Sequence, residues 1–314
     1  MVKIAKNYVF VLFYSMDSID KFLELLDLKT EIDVFCSFRS PYLMQAPQAE
    51  KGKACFHLLL SGHCQMRSNK SVHRLQAGDF CLWTQGSMHQ IGDAVEYSSV
   101  QVEQQNGILY RHNCQQDPSL QMICGHYRAG NQAAAGLLSL LPEPLIVSLK
   151  QIPQLSALSS LIYQEALARH LGSATVIKSM CEILLLFALR HLSSLPEQQS
   201  LIRLFSDPAL SKAITPIFHN LADNYTIEQL AQKAYMSRAT FARRFQQLSG
   251  MGVQAFVRLL RMSMAAKLLR QTNLSSSQIM AQIGYQSEAA FFDAFKAQFG
   301  TTPARYRKNL LANG

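Results

Sequence analysis

The sequence predicts an α+β protein with two differently built parts: a small N-terminal β-barrel with added helices, and a C-terminal all-α domain. Short β-rich runs separated by turn residues fill residues 30–128, and this spacing is typical of a small barrel or sandwich. Residues 226–245 and 275–300 then repeat one pattern, a short helix, a tight turn and a second helix with aromatic residues at helical spacing. Basic residues are concentrated in the same C-terminal third.

Length and composition suit folded domains rather than a disordered tail. The chain has 314 residues, of which 48% are hydrophobic and 16% charged, as expected for two folded domains. It contains no run of about 18 or more apolar residues, so we expect no membrane segment and a cytoplasmic location. Residues 1–15 include a short apolar stretch that lacks the small-residue cleavage site of a signal peptide, and they are interpreted as an N-terminal extension.

The first copy of the repeated pattern has the features of two consecutive helices. Ser237 follows the turn and is a suitable N-cap, because its hydroxyl can accept a backbone N–H of the next helix. Phe241, Phe245 and Leu248 share one face of that helix and are predicted to be buried. The positions that point elsewhere are small or basic, as entry into a DNA groove requires: Arg238, Ala239, Ala242 and Arg243.

The second copy repeats this arrangement. Ser287 is the expected N-cap, and Phe291, Phe295 and Phe299 form the expected buried face. Between the copies, residues 253–269 are predicted to form one long helix with an apolar stripe. That helix would hold the two units at a fixed separation.

The positive charge of the chain lies almost entirely after residue 206. Residues 207–314 hold 13 lysines and arginines against 5 acids, so they carry +8 of the whole-chain net charge of +9. This asymmetry is expected of a phosphate-binding surface and predicts an affinity that falls with salt. The alternative interpretation is a basic face that contacts only solvent.

Residues 207–308 resemble the C-terminal DNA-binding domain of the AraC/XylS family of bacterial transcription regulators. The resemblance is carried, in order, by LAQKAYMSRATFARRF, RMSMAAKLL and IGYQSEAAFFDAFKAQFGTTPARYR. It implies that the second helix of each unit binds DNA. The implied DNA-binding residues are Arg238, Ala239, Ala242 and Arg243 in the first unit, and Glu288, Ala289, Phe292 and Lys296 in the second.

The two units are not expected to contribute equally. A guanidinium at Arg243 can bond O6 and N7 of guanine together. Asp293 stands where a basic residue is common in the family, so the second unit is expected to bind more weakly or to read DNA shape. Tyr235 stands where many members have glycine, and a bulky residue with positive φ would be strained.

The N-terminal part resembles the cupin-type sensor domain found in one branch of the same family. Gly78, Thr84, Gly86 and His89 follow the spacing of the second cupin motif, with Thr84 at its proline position. The predicted cupin-like domain covers residues 16–130. The remaining boundaries are 131–195 for a helical dimerisation or packing region, 196–206 for a linker, and 207–310 for the DNA-binding domain.

The resemblance to cupins also implies a metal in the barrel mouth. His89 fits the histidine of the second motif, and His57 fits one ligand of the first. Leu59 interrupts the His-x-His pair, and no glutamate follows at a useful distance, so we expect neither an oxygenase-type iron site nor an enzyme. The alternative is a cupin metalloenzyme fused to a DNA-binding domain.

Two cysteines suggest a metal or redox site. Cys36 and Cys124 lie on the first and last predicted strands, which can be neighbours in a barrel, and the resemblance implies an oxidant-responsive branch in which cysteines recur at these places. Together with His57 and His89 they could bind zinc or form a switchable disulfide. The alternative is that all four are ordinary core residues, with Cys114 as the reactive thiol.

The helical region holds two apolar runs, residues 155–171 and 174–192. The second is apolar on more than one face, so it must be covered on several sides, either by its own barrel or by a second copy of the chain. Together with the resemblance to AraC/XylS regulators, these runs lead us to expect a dimeric transcription regulator that acts as an activator and senses a small-molecule, metal or oxidant signal. Its expected partners are promoter DNA and RNA polymerase.

Overall fold

The computed structural model describes residues 17–69, 71–93, 99–195 and 200–312. The chain divides into two compact units. Among the described residues, the barrel unit consists of those in 29–128 and 141–191, and the helical unit consists of those in 17–28, 129–140 and 192–312. None of the helices in the described ranges is long and apolar enough to cross a bilayer.

The barrel unit is a curled sheet that forms a half-barrel, which confirms the predicted fold class. The main hydrogen-bonded path runs β10-β5-β3-β9-β1-β8-β7, and β2, β4 and β6 extend it through β3. The strands are β1 (Lys29–Phe38), β2 (Leu43–Ala46), β3 (Lys53–Arg67), β4 (Val72–Gln76), β5 (Asp79–Trp83), β6 (His89–Gly92), β7 (Gln101–Gln105), β8 (Ile108–His112), β9 (Leu120–Arg128) and β10 (Leu145–Ser148).

The first and last strands of the predicted barrel are neighbours. β1 pairs antiparallel with β9 from Lys29 opposite Arg128 to Phe38 opposite Leu120, with an irregularity between Ile32 and Val34. β9 also pairs antiparallel with β3 along most of its length. Side chains that point to the same face of these three strands therefore lie side by side.

The region 131–195, predicted as a helical dimerisation or packing region, also contains one strand. Residues 145–148 form β10, which pairs with β5 so that Leu145 lies opposite Leu82 and Ile146 opposite Cys81. Four residues give too short a run for periodicity to separate a strand from a buried helical segment. Pairing with β5 makes these four residues a strand.

Two helices complete the barrel unit, α3 (Pro153–Ala168) and α4 (Ser173–Ser194). α4 buries Ile177, Cys181 and Leu184, and Tyr127 of β9 donates a hydrogen bond from its hydroxyl to the carbonyl oxygen of Cys181 at 2.7 Å. One face of α4 thus packs on its own barrel. Ile183 on α4 remains 48% exposed, and a homodimer through this surface stays a prediction.

The helical unit contains the repeated pattern. Its helices are α1 (Ser18–Leu26), α2 (Gln132–Leu138), α5 (Arg203–Ser206), α6 (Leu210–His219), α7 (Ile227–Lys233), α8 (Arg238–Ser249), α9 (Val253–Gln271), α10 (Ser276–Ile283), α11 (Glu288–Phe299) and α12 (Pro303–Ala312). Both copies of the helix-turn-helix are present, as α7–α8 and α10–α11. The long connecting helix α9 extends two residues beyond the predicted 253–269.

Local capping chemistry sets the helix boundaries of both copies. The predicted caps are confirmed, since the hydroxyls of Ser237 and Ser287 accept the backbone N–H groups of Thr240 and Ala290. α7 and α10 each begin with a reciprocal capping box of a hydroxyl residue and a glutamine. Such caps contribute about 1 kcal/mol each, so each short helix has a start encoded in its own sequence.

The predicted aromatic faces form the cores of the two copies. Phe241 and Phe245 are fully buried, and Phe245 meets Phe256 of α9 edge-on with ring centroids 5.5 Å apart. In the second copy Phe291 and Phe295 are fully buried. Each copy therefore packs on the long helix through phenylalanines spaced four residues apart.

The two turns differ as the sequence suggested. Gly284 has φ of 78°, and a Cβ there would lie 2.7 Å from Ala222 Cα, so only glycine fits. Tyr235 also has positive φ, at 55°, but its side chain is 83% exposed, and Lys212 Nζ lies 5.1 Å from the centre of its ring. The first turn therefore has room for a side chain and bears only the backbone strain.

The compact units do not follow the predicted domain boundaries. The helix α1, whose N-cap Asp17 accepts from two backbone N–H groups at 2.9 Å, belongs to the helical unit, although the prediction placed it in the domain 16–130. Residues 200–206 of the predicted linker include Leu201, Ile202 and Leu204, all buried, so this part is core and not linker. The predicted extension 1–15 and residues 196–199 lie outside the described residues.

Candidate nucleic-acid interface and sensor cavity

The outward face of α8 presents the first group of predicted DNA-binding residues. Arg238, Ala239 and Arg243 are exposed, and Ala242 is half-buried. Arg238 forms an ion pair with Glu228 of α7 at 2.9 Å, in which both side chains are more than half exposed. Such an exposed pair contributes little to stability, so Arg238 can exchange Glu228 for a phosphate at small cost.

The outward face of α11 is less suited to DNA. Glu288, Ala289 and Lys296 are exposed, as is Asp293. Phe292 is half-buried and packs against the second core, with its ring 5.8 Å from that of Phe291. Two carboxylates and one ammonium face outward, so α11 has a weaker attraction for phosphate than α8.

Several basic residues of the C-terminal third hold the fold together instead of facing a ligand. Arg244 bonds the Asp207 carboxylate at 2.6 Å, and Arg261 donates to the carbonyl oxygens of Leu221 and Asp223 at 2.9 and 2.8 Å. Arg307, Lys267 and Arg270 make similar bonds to backbone or carboxylate oxygens. The +8 charge therefore overstates the charge available to DNA.

A cavity of about 390 Å³ opens in the barrel unit. Three thiols and one imidazole line it: Cys36, Cys55, Cys124 and His57. Its remaining walls are mostly apolar, with charged side chains that include Asp33, Glu50, Lys53 and Arg111. A cavity of this size can admit a small molecule, and the thiols are reachable from it.

The structure brings the four predicted sensor residues together as a chain of contacts. Cys124 Sγ lies 3.1 Å from His57 Nδ1, and His57 Nε2 lies 2.8 Å from His89 Nε2. Cys36 lies close enough to Cys124 to influence the pKa of its thiol. The β1–β9 and β3–β9 pairings cause this arrangement, because His57 lies directly opposite Cys124, and Cys36 is two residues along from Val34, the β1 partner of Cys124.

One backbone carbonyl determines which atoms donate and which accept in this series of contacts. His89 Nδ1 lies 2.7 Å from the carbonyl oxygen of Ser87, which can only accept, so Nδ1 carries the proton. His89 Nε2 is then an acceptor, and His57 must donate to it from Nε2. His57 Nδ1 is left unprotonated and accepts from the Cys124 thiol. Trp83 fixes the His89 ring by stacking on it at 4.2 Å.

Burial favours the neutral forms of His57, His89 and Cys124. Burial, reinforced by the nearby His89, lowers the pKa of His57 well below its ordinary value, and burial also lowers the pKa of His89. The neighbouring Cys36 thiol, together with burial, raises the pKa of Cys124 well above that of a free thiol. The resting state is therefore a neutral thiol that donates to a neutral imidazole.

The arrangement does not fit a single tetrahedral zinc ion. The two ring nitrogens of His57 point in different directions, one to Cys124 and the other to His89, so one ion cannot replace both contacts. Within the part of the chain that the structure describes, no group of three or more histidine, cysteine, aspartate or glutamate side chains converges as metal ligands. Zinc stays a prediction that needs rearrangement of these side chains.

Sequence reasoning missed a second polar cluster beside the first. His126 is 1% exposed; its Nδ1 lies 2.9 Å from the Asp33 carboxylate, and its Nε2 lies 3.4 Å from Glu31. His126 follows Cys124 by two residues on the same face of β9 and pairs with Glu31 of β1. Only the alternation along β9 could have indicated it, and no motif marks the position.

Comparison with known proteins agrees with both parts of the structure. A cupin family model matches residues 17–194, more than half of the chain, and a helix-turn-helix domain model matches residues 230–309. The chain belongs to the AraC-type transcription regulators with a cupin N-terminal domain. The regulator is thus a DNA-binding protein with a cupin domain.

Its relatives are similar over nearly their whole length. An uncharacterized HTH-type transcriptional regulator of Haemophilus influenzae is 33% identical over 300 residues, which cover 94% of this chain and 99% of the relative. The HTH-type transcriptional regulator MtrA of Neisseria gonorrhoeae is 26% identical, covering 93% and 98%. The RCS-specific HTH-type transcriptional activator RclR of Escherichia coli is 25% identical, covering 94% and 98%. All three names describe transcriptional regulators.

The lowered pKa of His57 predicts that the barrel unit loses stability in mild acid. Unfolded His57 takes up a proton near pH 6.5, whereas the folded ring resists protonation to lower pH, so stability falls as pH drops below about 6.5. Trp83, the one tryptophan in the sequence, is buried against His89 and reports unfolding of this unit by fluorescence. We expect His57→Gln to flatten the dependence of melting temperature on pH between about 7 and 5.

The comparison of slopes separates this effect from a general loss of stability. His219→Gln changes an exposed histidine on α6 and should leave the wild-type slope unchanged. A His57→Gln protein with the full wild-type slope would show that His57 does not cause the acid sensitivity.

Proposed function

We propose that the regulator is a cytoplasmic, sequence-specific DNA-binding protein whose barrel unit senses a two-electron oxidant through Cys124. The helical unit binds promoter DNA with α8 as the principal reading helix and α11 as a weaker one. The observation that carries the sensing proposal is the contact of Cys124 with both His57 and Cys36 at the wall of an open cavity. The relation to the RCS-specific activator RclR supports the same direction.

The DNA part of the proposal rests on the contrast between the two recognition helices. α8 exposes Arg243 and Arg238 on a face otherwise lined by small side chains. A planar guanidinium at Arg243 can bond both major-groove acceptors of guanine. α11 exposes the carboxylates of Glu288 and Asp293 in its N-terminal half. Because these carboxylates make contact with DNA phosphates unfavourable, the role of α11 is to fix register and to read DNA shape.

The sensing part can be written as a balanced reaction with hypochlorous acid. The Cys124 sulfur attacks chlorine, the S–Cl bond forms as the O–Cl bond breaks, and the thiol proton leaves through His57 Nδ1 to give water. The Cys36 sulfur then attacks the Cys124 sulfur and displaces chloride, with loss of its own proton. Two thiols are oxidised to one disulfide, and one hypochlorous acid is reduced to chloride and water.

Formation of this disulfide would disturb the pairing of β1 with β9. Cys36 faces Met122, and Cys124 faces Val34, so the two cysteines are diagonal partners. Diagonal partners in a sheet have Cα atoms about 7–8 Å apart, whereas a disulfide requires about 4.4–6.8 Å. The two strands must therefore shift locally, which gives the chemical event a structural consequence.

Replacement of Arg243 tests the direct contact with a base. We expect Arg243→Ala to weaken operator binding about tenfold or more and to relax preference at one base position, because one bidentate contact is worth about 1–3 kcal/mol. Binding-site selection from a randomised duplex library, followed by fluorescence anisotropy, measures both effects. Arg243→Lys is the matched control; it keeps the charge but not the planar pair of donors, so it should restore affinity without restoring the preference. An unchanged sequence profile for Arg243→Ala would refute the direct contact.

Replacement of Cys124 tests the thiol switch. Wild-type operator affinity should change on addition of one equivalent of hypochlorous acid, with loss of two titratable thiols in thiol-trapping mass spectrometry. Cys124→Ser should abolish both changes. The control is Cys114→Ser, which alters a half-buried thiol in the loop before β9; it should respond like the wild type. Equal responses of Cys124→Ser and wild type would overturn the sensing proposal, and native mass spectra of the same samples would show whether zinc is bound.

A further inference from the structure

Two short pieces of the cupin-matched sequence are built into the helical unit. Residues 17–28, which contain α1, and residues 129–140, which contain α2, both fall within the cupin match, but they pack in the helical unit. We call these two pieces together the bracket. One piece contacts the part of the helical unit that carries the first helix-turn-helix, and the other contacts the part that carries the second.

The α1 piece attaches to the half that carries the first helix-turn-helix. Phe22 is fully buried, with its ring 5.4 Å from that of Phe205 on α5 and 6.4 Å from that of Phe218 on α6. Ser18 Oγ lies 3.1 Å from Thr215 Oγ1 of α6. Phe218 in turn meets α9, so α1 is part of the first core.

The α2 piece attaches to the half that carries the second helix-turn-helix. Ala133 is fully buried in the same apolar cluster as Ile279 of α10 and Phe291 of α11. A Cβ on Gly136 would lie 3.4 Å from the δ-methyls of Leu259 on α9, an ordinary contact distance. This piece therefore covers the second core where it meets α9.

Both pieces are fastened to α9 and to each other at one junction. Ser263, fully buried in α9, donates from its hydroxyl to the carbonyl oxygen of Leu25 at 2.6 Å. Asn131 donates from its side-chain amide to the Ser263 carbonyl oxygen at 3.3 Å and caps α2 through its side-chain oxygen. The Gly130 N–H donates to the carbonyl oxygen of Leu26 at 3.1 Å.

Arg270 completes this junction from the last turn of α9. Its guanidinium forms an ion pair with Asp27, the C-terminal cap of α1, and donates to the carbonyl oxygen of Gly130 at 2.6 Å. One side chain of the DNA-binding unit thus bonds both pieces of the bracket at once. A lysine could reach one oxygen but does not have the planar fork that serves two partners.

We propose that the bracket positions the second helix-turn-helix relative to the first, with Arg270 and Ser263 as positioning residues for DNA recognition. α9 alone fixes the distance between the two cores along one axis. The bracket adds a second connection between them, through Phe22 on one side and Ala133 on the other. The relative rotation of α8 and α11 is therefore set partly by residues from the sensor half of the sequence. This inference rests on the proposed reading of DNA by both helices.

Only a few residues connect the strands β1 and β9 of the barrel unit to the two pieces of the bracket. β1 begins at Lys29, three residues after the end of α1, and β9 ends at Arg128, two residues before Gly130. Lys29 and Arg128 are register partners in the β1–β9 ladder. A shift of β1 against β9 therefore changes the separation of the points from which the two bracket pieces start.

Gly130→Ala tests the bracket without altering any residue of the recognition helices. A Cβ on Gly130 would lie 2.9 Å from both Cβ and Cγ of Asp27, so the junction must open. Gly136→Ala is the matched control, because it makes the same chemical change six residues away, where the added methyl fits. The probe is a two-half-site duplex recovered by binding-site selection, tested with fully reduced protein by footprinting and anisotropy.

The bracket predicts an asymmetric loss. Gly130→Ala should lose protection of the half-site bound by α11 and bind the full duplex at least about tenfold more weakly, while its affinity for the isolated α8 half-site stays within about twofold of wild type. Gly136→Ala should match the wild type on all three measures. Arg270→Lys, which adds no volume, should show the same asymmetry if Gly130→Ala proves too unstable to purify.

The results that would contradict the bracket differ from those that would contradict the reading of DNA by two helices. Wild-type footprints and affinities for both Gly130→Ala and Arg270→Lys would overturn the bracket, as would an equal loss at both half-sites, which indicates general unfolding. A wild-type protein that protects only one half-site would instead overturn the proposed two-helix reading of DNA. Because all samples are reduced, none of these results depends on the thiol switch.

Discussion

The antiparallel pairing of β1 with β9 is the constraint on which both halves of the protein depend. This single ladder places Cys36 diagonally across from Cys124, and it sets Glu31 opposite the buried His126. Its terminal pair, Lys29 and Arg128, marks the place where both strands leave the barrel unit. Any event that changes the register or spacing of the ladder therefore acts on the thiols and on the starting points of the bracket together.

The chemistry at Cys124 depends on how its neighbours fix the proton positions. The Ser87 carbonyl accepts from His89, and this one contact determines that His57 accepts from the thiol. Because burial keeps the imidazoles uncharged, the thiol remains protonated at rest, and in the proposed switch it reacts only with an oxidant that can enter the cavity. A buried, neutral pair of this kind suits a sensor that must ignore weak oxidants.

The parts of the structure that the sequence predicts well are those encoded locally. Ser237 and Ser287 cap their helices, and phenylalanines four residues apart fill each core, so both helix-turn-helix units follow from short-range rules. Strand β10 was missed because its conformation depends on β5, more than 60 residues earlier. The bracket was missed for the same reason, since the bond from Ser263 to Leu25 spans 238 positions.

In the candidate site, too, the sequence predicts the residue types, and the structure is needed to show their partners. Motif spacing identified His57 and His89, and strand position identified Cys36 and Cys124, but only the register shows that they form a directed chain instead of a closed metal shell. Composition gave the right sign of charge and the wrong amount of available charge, because Arg244, Arg261 and Arg270 bond internal oxygens. A residue's chemical type is visible in the sequence, whereas its partner is not.

In the proposed arrangement, α9 and the bracket hold the two recognition helices at one fixed separation. A series of duplexes in which zero to five base pairs are inserted between the two half-sites tests it most directly. The recognition helices should bind segments about one helical turn, roughly 34 Å, apart, so an insertion of about half a turn should rotate the second half-site away and lower affinity about tenfold or more. Equal affinity across the whole series would contradict a rigid two-helix reader.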